Sequence, residues 1–263
     1  MGIDAKLVLA TVRSGGADDD RMMVTLALHY PAIFHPHVLA YRMLCLSTPD
    51  SFRSMPTMNL IERIKKDPYV PIDFGVAGER QSPAEYHTDH PPLISTWRRG
   101  MEAAIQNALD LRDKQVHKEI TNRPLTPYFH MKSLVTASLG EWKRFAEEQS
   151  KPYIQKEMQE LAGYIKIELQ QEHMGDLRSF RAHHLPYVTE EEYTDYGPVA
   201  MTRVSYARCL KMDDLIEIAD GISVYKRFMK GPTSFCKPAE HLYIEGNGPI
   251  YKGWVSLRHQ KWV

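Results

Sequence analysis

The residues with the clearest chemical potential lie close together: Arg42, then eight residues, then Ser51-Phe52-Arg53. An apolar segment, Val38 to Leu46, carries Arg42 and runs into a turn made of Ser47, Thr48, Pro49, Asp50 and Ser51. Such a turn suits an anion. Short hydroxyls and free backbone N–H groups cradle phosphate oxygens, and Arg53 supplies a forked cation. A helix expected over Thr57 to Lys66 starts directly afterwards, and its N-terminus adds partial positive charge. The plainer alternative is a surface turn with an N-capping serine and a solvated arginine.

The elements that must position these groups follow from pattern. Lys6 to Val12 and Met22 to His29 read as strands, the second by its apolar density. Val38 to Leu46 reads as helical, with Arg42 on it. Thr57 can cap the next helix, whose Leu60, Ile61 and Ile64 share a face and which Pro68 stops. A proline-rich stretch from Tyr69 to Pro92 reads as a long loop, about residues 67–95. Trp97, Met101, Ile105, Ala108 and Leu111 recur at spacings of 4, 4, 3 and 3, which predicts a helix. The run Leu134-Val135-Thr136-Ala137 predicts a buried strand within His130 to Ser138. Helices are expected over Glu141 to Gln149, Tyr153 to Gln171 (opened by Pro152), Pro198 to Met212 and Asp213 to Lys230, the last with Leu215 on its apolar side. Short strands are expected near Leu242 to Ile244 and Gly253 to Leu257. With no repeat and no linker, the expectation is a single α+β domain over residues 1–263, a central mixed sheet flanked by long helices.

The totals exclude several classes. Lys+Arg and Asp+Glu are 33 each, so the net charge is zero, which argues against bulk nucleic-acid binding. Cys45, Cys209 and Cys236 are odd in number and fit no metal pattern, so they read as reduced thiols in a cytoplasmic protein. No apolar run approaches the ~18–20 residues of a membrane span.

Further stretches join the opening one in a resemblance. These are His117-Lys118-Glu119-Ile120-Thr121-Asn122-Arg123-Pro124-Leu125, the stretch from Glu141 across Gln149 to Ala162, Arg203-Val204-Ser205-Tyr206, and Pro238-Ala239-Glu240-His241. Together with Arg42…Ser51-Phe52-Arg53 they resemble the flavin-dependent thymidylate synthases, the ThyX family. The last two segments follow the arginine signature here instead of preceding it, so the chain resembles a permuted, divergent, bacteriophage-type member.

That resemblance implies a ThyX-like fold and a C5 one-carbon transfer, methylation or hydroxymethylation, to a deoxypyrimidine monophosphate. It also implies FAD, methylenetetrahydrofolate as one-carbon donor, NADPH as reductant, and a homotetramer with shared sites, cytoplasmic in an infected host. Ser51, Arg53 and Arg123 match phosphate-binding positions, and Arg42 and Gln149 match catalytic ones. Tyr41, Arg42, Thr136, Arg203, Glu240 and His241 match flavin-contacting positions, with the segment 198–263 completing that site. Thr136 in an apparent strand is as readily a core residue, and Cys45 on an apolar stretch reads as an inert thiol.

The chain departs from the family where its chemistry is concentrated. The Arg-His-Arg triplet reads Ala40-Tyr41-Arg42, and the arginine expected to face the pyrimidine is Gln149. A glutamine amide offers one donor side and one acceptor side, so by rotating it could serve uracil or cytosine. The expected substrate is therefore either dUMP or dCMP. A catalytically inactive relative, binding nucleotide as a structural or regulatory partner, is the alternative.

Overall fold

The computed structural model describes residues 2–12, 19–49, 55–74, 91–170, 183–229, 237–246 and 251–258. In chain order the elements are β1 (Asp4–Val12), β2 (Met22–Pro31), α1 (His35–Ala40), β3 (Cys45–Ser47), α2 (Thr57–Lys66), α3 (Pro91–Asp113) and α4 (Lys118–Thr121). After a 3₁₀ segment, Arg123–Tyr128, come β4 (His130–Ser138), α5 (Leu139–Gln149), α6 (Lys156–Glu168) and β5 (His183–His184). The chain continues with α7 (Glu190–Lys211), α8 (Ile218–Met229), β6 (Tyr243–Glu245) and β7 (Trp254–Ser256).

The central sheet has the order β1-β2-β4-β3 and a smaller one the order β5-β6-β7. The expected mixture of α and β is present, but every described pairing is antiparallel, where a mixed sheet was expected. β2 and β4 pair without a break from Met23↔Ser138 to Pro31↔His130. Both faces of this pair are covered, which is why Met22 to His29 and Leu134 to Ala137 read as apolar runs and not as alternations. Successive side chains still point to opposite faces. Val135 and Ala137 join the core that includes Trp142, Phe145, Leu161 and Ile165 of α5 and α6. Leu134 joins the core built with Leu185, Met201, Val204 and Leu242 from the later elements.

Four expectations are corrected. Val38 to Leu46 is not one helix: α1 ends at Ala40, Tyr41 turns extended (φ −79°, ψ 90°), and Cys45–Ser47 pairs with β4. Arg42 therefore sits in the turn between α1 and β3. The position before α2 is Pro56, with no side-chain cap bond, and Thr57 is its buried first residue. The Pro198 helix begins earlier, at Glu190, and is broken within by Gly197 at φ +76°. The final helix starts at Ile218, not Asp213, and Leu215 is 84% exposed in the turn before it.

Among the described residues, no helix is long and apolar enough to cross a membrane, and no cluster of His, Cys, Asp or Glu could hold a metal.

Candidate functional site

Gln149 is the last residue of α5. Ser138 caps the start of that helix, its hydroxyl accepting from the Glu141 N–H at 3.3 Å. Trp142, Phe145, Ala146 and Gln149 then fall on one buried face, three or four residues apart apart from one adjacent pair. The indole N–H of Trp142 donates to the Val24 carbonyl at 3.0 Å and fixes α5 on β2. Gln149 is thus carried inward by the face that holds the helix to the sheet, and is 7% exposed.

Opposite it, Tyr41 leaves the end of α1 and lays its ring against Phe145, 4.7 Å between centroids at 76°. Gln149 Nε2 donates to the Tyr41 hydroxyl at 2.5 Å, and that hydroxyl donates to Glu148 Oε2 at 2.7 Å. A phenol has one proton, and here it goes to the carboxylate. The Tyr41 oxygen must then accept from Gln149, so the amide is oriented with its carbonyl oxygen free for another partner. Burial, and then the hydrogen bond to Glu148, push the Tyr41 hydroxyl up to about 12, so it stays a phenol. The free rotation expected of the Gln149 amide is thereby removed.

These two residues border a cleft of about 310 Å³, which His37, Ala40, Tyr153, Ile154, Gln155 and Met158 complete. The α5–α6 turn that supplies Tyr153, Ile154 and Gln155 was not singled out in the sequence. The sole signal for it is Pro152, which lies in the turn and not at the head of α6.

The other expected site residues are distributed over the molecule. Arg42 is exposed in its turn and has no ion-pair or hydrogen-bond partner among the described residues. Arg123 opens the 3₁₀ segment, its side chain 65% exposed and 3.9 Å from Glu119. Ser51 and Arg53 lie outside the described residues. Met55, just beyond them, has its carbonyl bound by Asn122 Nδ2 at 3.0 Å, one residue from Arg123.

Thr136 and His241 are fully buried and belong to a continuous polar chain through the core. Ser47 Oγ meets His241 Nε2 at 2.7 Å, and His241 Nδ1 meets Thr136 Oγ1 at 2.9 Å. Thr136 Oγ1 meets Thr25 Oγ1 at 2.6 Å, and Thr25 Oγ1 meets His184 Nε2 at 2.8 Å. His184 Nδ1 meets Thr11 Oγ1 at 2.8 Å. Burial, with a smaller contribution from His241, lowers the His184 pKa to about 3, so its ring is neutral. The importance of His184 was not legible in the sequence, where it matches no motif.

Glu240 is ion-paired with Arg258. The Arg203 guanidinium lies 5.8 Å from the ring centre of Tyr225, joining α7 to α8. Among the described residues, the six matched to flavin contact do not all line one of the two described clefts. Two of them, Thr136 and His241, serve the core; Tyr41 alone lines the cleft. Cys45 lies 3.1 Å from the Tyr243 hydroxyl, and burial raises its pKa, which keeps it a thiol.

No protein-family model and no curated protein matches the chain. Among solved structures, its fold is similar to the crystal structure of a UMP/dUMP methylase PolB from Streptomyces cacaoi bound with 5-Br UMP. The TM-score is 0.50 at 14% identity, over 66% of this chain and 95% of that one, so what the two share is the fold.

Proposed function

We propose that the chain transfers a one-carbon unit to C5 of a deoxypyrimidine monophosphate, dUMP or dCMP, from a site completed by further copies of itself. The observation that carries this reading is the oriented Gln149 carbonyl in the cleft beside Tyr41. It stands where the ThyX resemblance puts the residue facing the pyrimidine, on a fold similar to a methylase whose structure holds a halogenated pyrimidine nucleotide.

In this reading the nucleotide phosphate is gripped by Ser51, Arg53 and Arg123. A dianion favours two guanidinium forks and a hydroxyl. The hydrogen bond from Asn122 to the Met55 carbonyl supports this reading, because Asn122 adjoins Arg123 and Met55 is two residues from Arg53 in sequence. Gln149 Oε1, an acceptor, takes a hydrogen bond from the base edge: from N3–H of uracil or from the N4 amino group of cytosine. Which one it meets decides the substrate. Arg42, exposed and without a partner among the described residues, is free to meet a second anionic group. FAD, when bound, supplies hydride chemistry, with methylenetetrahydrofolate as one-carbon donor and NADPH as reductant. Because Thr136 and His241 are buried in this chain, the flavin surface must come largely from other residues or other copies, in keeping with a shared homotetrameric site.

A second reading, nucleotide binding without catalysis, is favoured by one specific observation. No described guanidinium or ammonium group lines the cleft to stabilise negative charge on the ring. The two readings separate in one experiment. Purified protein is titrated with dUMP and dCMP in the presence of FAD, and tritium release from C5-labelled nucleotide is then measured with the folate and NADPH present. Release supports the transferase. Binding without release selects the second reading, and the failure of both nucleotides to bind discards both.

A further inference from the structure

A second cleft, of about 250 Å³, lies on the far side of Ile154 and Gln155, the two residues it shares with the Gln149 cleft. Its walls include Phe34, Tyr69, Phe74 and Trp97. Neighbouring rings stand nearly at right angles: Phe34 to Tyr69 at 82° and 6.2 Å, Tyr69 to Trp97 at 88° and 6.0 Å, Phe74 to Trp97 at 76° and 6.4 Å. The Trp97 indole N–H donates to the Tyr69 carbonyl at 2.8 Å, which fixes the orientation of the largest ring. Rings set at right angles do not form a slot for a flat heterocycle. Four aromatic residues nevertheless contribute to the wall, and the face of an aromatic ring attracts a cation.

Glu157 also lines this cleft and is only 3% exposed. Its Oε1 accepts from the Tyr69 hydroxyl at 2.7 Å and from the Ile72 N–H at 2.8 Å. Among the described residues no donor reaches its Oε2. Asp73 and Lys156, the other charged residues of the described lining, each have contacts of their own, and that lining holds two acidic residues to one basic.

We propose that this cleft is a binding site for a small organic cation, a substituted ammonium ion seated among Tyr69, Phe74 and Trp97 with its charge against Glu157 Oε2. The site is independent of the nucleotide reading. Its occupant would reach the Gln149 cleft only through the shared wall of Ile154 and Gln155.

Isothermal titration of the full chain with tetramethylammonium chloride and with choline tests it. The controls are sodium chloride at equal ionic strength and 3,3-dimethylbutan-1-ol, a neutral analogue of choline. Saturable binding of both cations, and none of the neutral alcohol, is expected. Glu157→Gln keeps an oxygen for Tyr69 and Ile72 but turns an NH₂ toward the ligand, and should weaken choline roughly fivefold or more. Trp97→Phe retains an aromatic face and should bind better than Trp97→Leu, a comparison that stands even if the Glu157 variant fails to fold. Equal binding of choline and the alcohol, no saturable binding of either cation, or equal affinity of the two Trp97 variants would overturn the proposal.

Discussion

Gln149 and Tyr41, 108 residues apart in sequence, share a 2.5 Å hydrogen bond whose direction is set by a third group, Glu148. The phenol donates its one O–H to the carboxylate, so its oxygen accepts the hydrogen bond from the amide. Orientation of the group facing the cleft is thus a matter of proton accounting. Tyr41→Phe removes the acceptor and frees the amide to turn. Discrimination between dUMP and dCMP should shrink by about 1 kcal/mol, the worth of one such hydrogen bond. Competition binding with the two nucleotides measures this, and an unchanged ratio would remove Tyr41 from base selection.

Gln149→Arg replaces a neutral amide with a fixed cation that can only donate. Preference should move toward dUMP, whose O4 accepts, and away from dCMP, whose N4 donates. Equal changes in both dissociation constants would argue that position 149 does not touch the base.

Arg53→Ala and Arg123→Ala should each weaken nucleotide binding by ~2–3 kcal/mol, as for a lost charged hydrogen bond. Arg123 is exposed and its pair with Glu119 is long, so its removal should alter stability by less than about 1 kcal/mol. A loss of affinity without a loss of stability identifies a ligand contact. The reverse pattern would assign Arg123 to structure alone.

Thr136→Val conserves shape but deletes the hydroxyl between Thr25 and His241. Stability of the cofactor-free protein should fall by about 1–3 kcal/mol, because buried polar partners lose their bonds. Urea denaturation reads this directly. No change in unfolding midpoint would mean that the polar chain is not what holds this position.

Acid should expose His184. Its folded-state pKa is depressed to about 3 from 6.5, by burial first and then by His241. The unfolded chain therefore binds a proton near pH 6.5 that the folded chain refuses until about pH 3. The contribution is full above pH 6.5 and is lost as pH falls through that window, at up to ~1.4 kcal/mol per pH unit. His184→Gln should reduce the slope of stability against pH between 6 and 4 by about one proton. Identical slopes for wild type and variant would show that the ring already titrates normally when folded.

The long strands were legible because β2 and β4 are buried on both faces, and α2, α5 and α6 because their apolar stripes repeat at helical spacing. The Val38 to Leu46 stretch was misread for a physical reason. An apolar run of that length fits a helix or a buried strand, and what divides it is pairing with β4, 89 residues or more away. Gly197 and Pro198 look like a helix start, and the capping box of Thr189 and Glu192 eight residues earlier carries the true one. The site divides in the same way. Gln149 stood out as a departure from a pattern, whereas Tyr41's grip on it, the burial of Thr136 and His241, and the place of His184 are long-range facts that no local spacing encodes.

The hydroxyl and imidazole path from Thr11 to Ser47 draws its members from both ends of the polypeptide. During synthesis Thr11, Thr25, Ser47 and Thr136 emerge long before His184 and His241. Until His241 is made, Ser47 and Thr136 lack the imidazole that joins them. The path therefore closes only once His184 and His241 have both been made, after every hydroxyl that it joins.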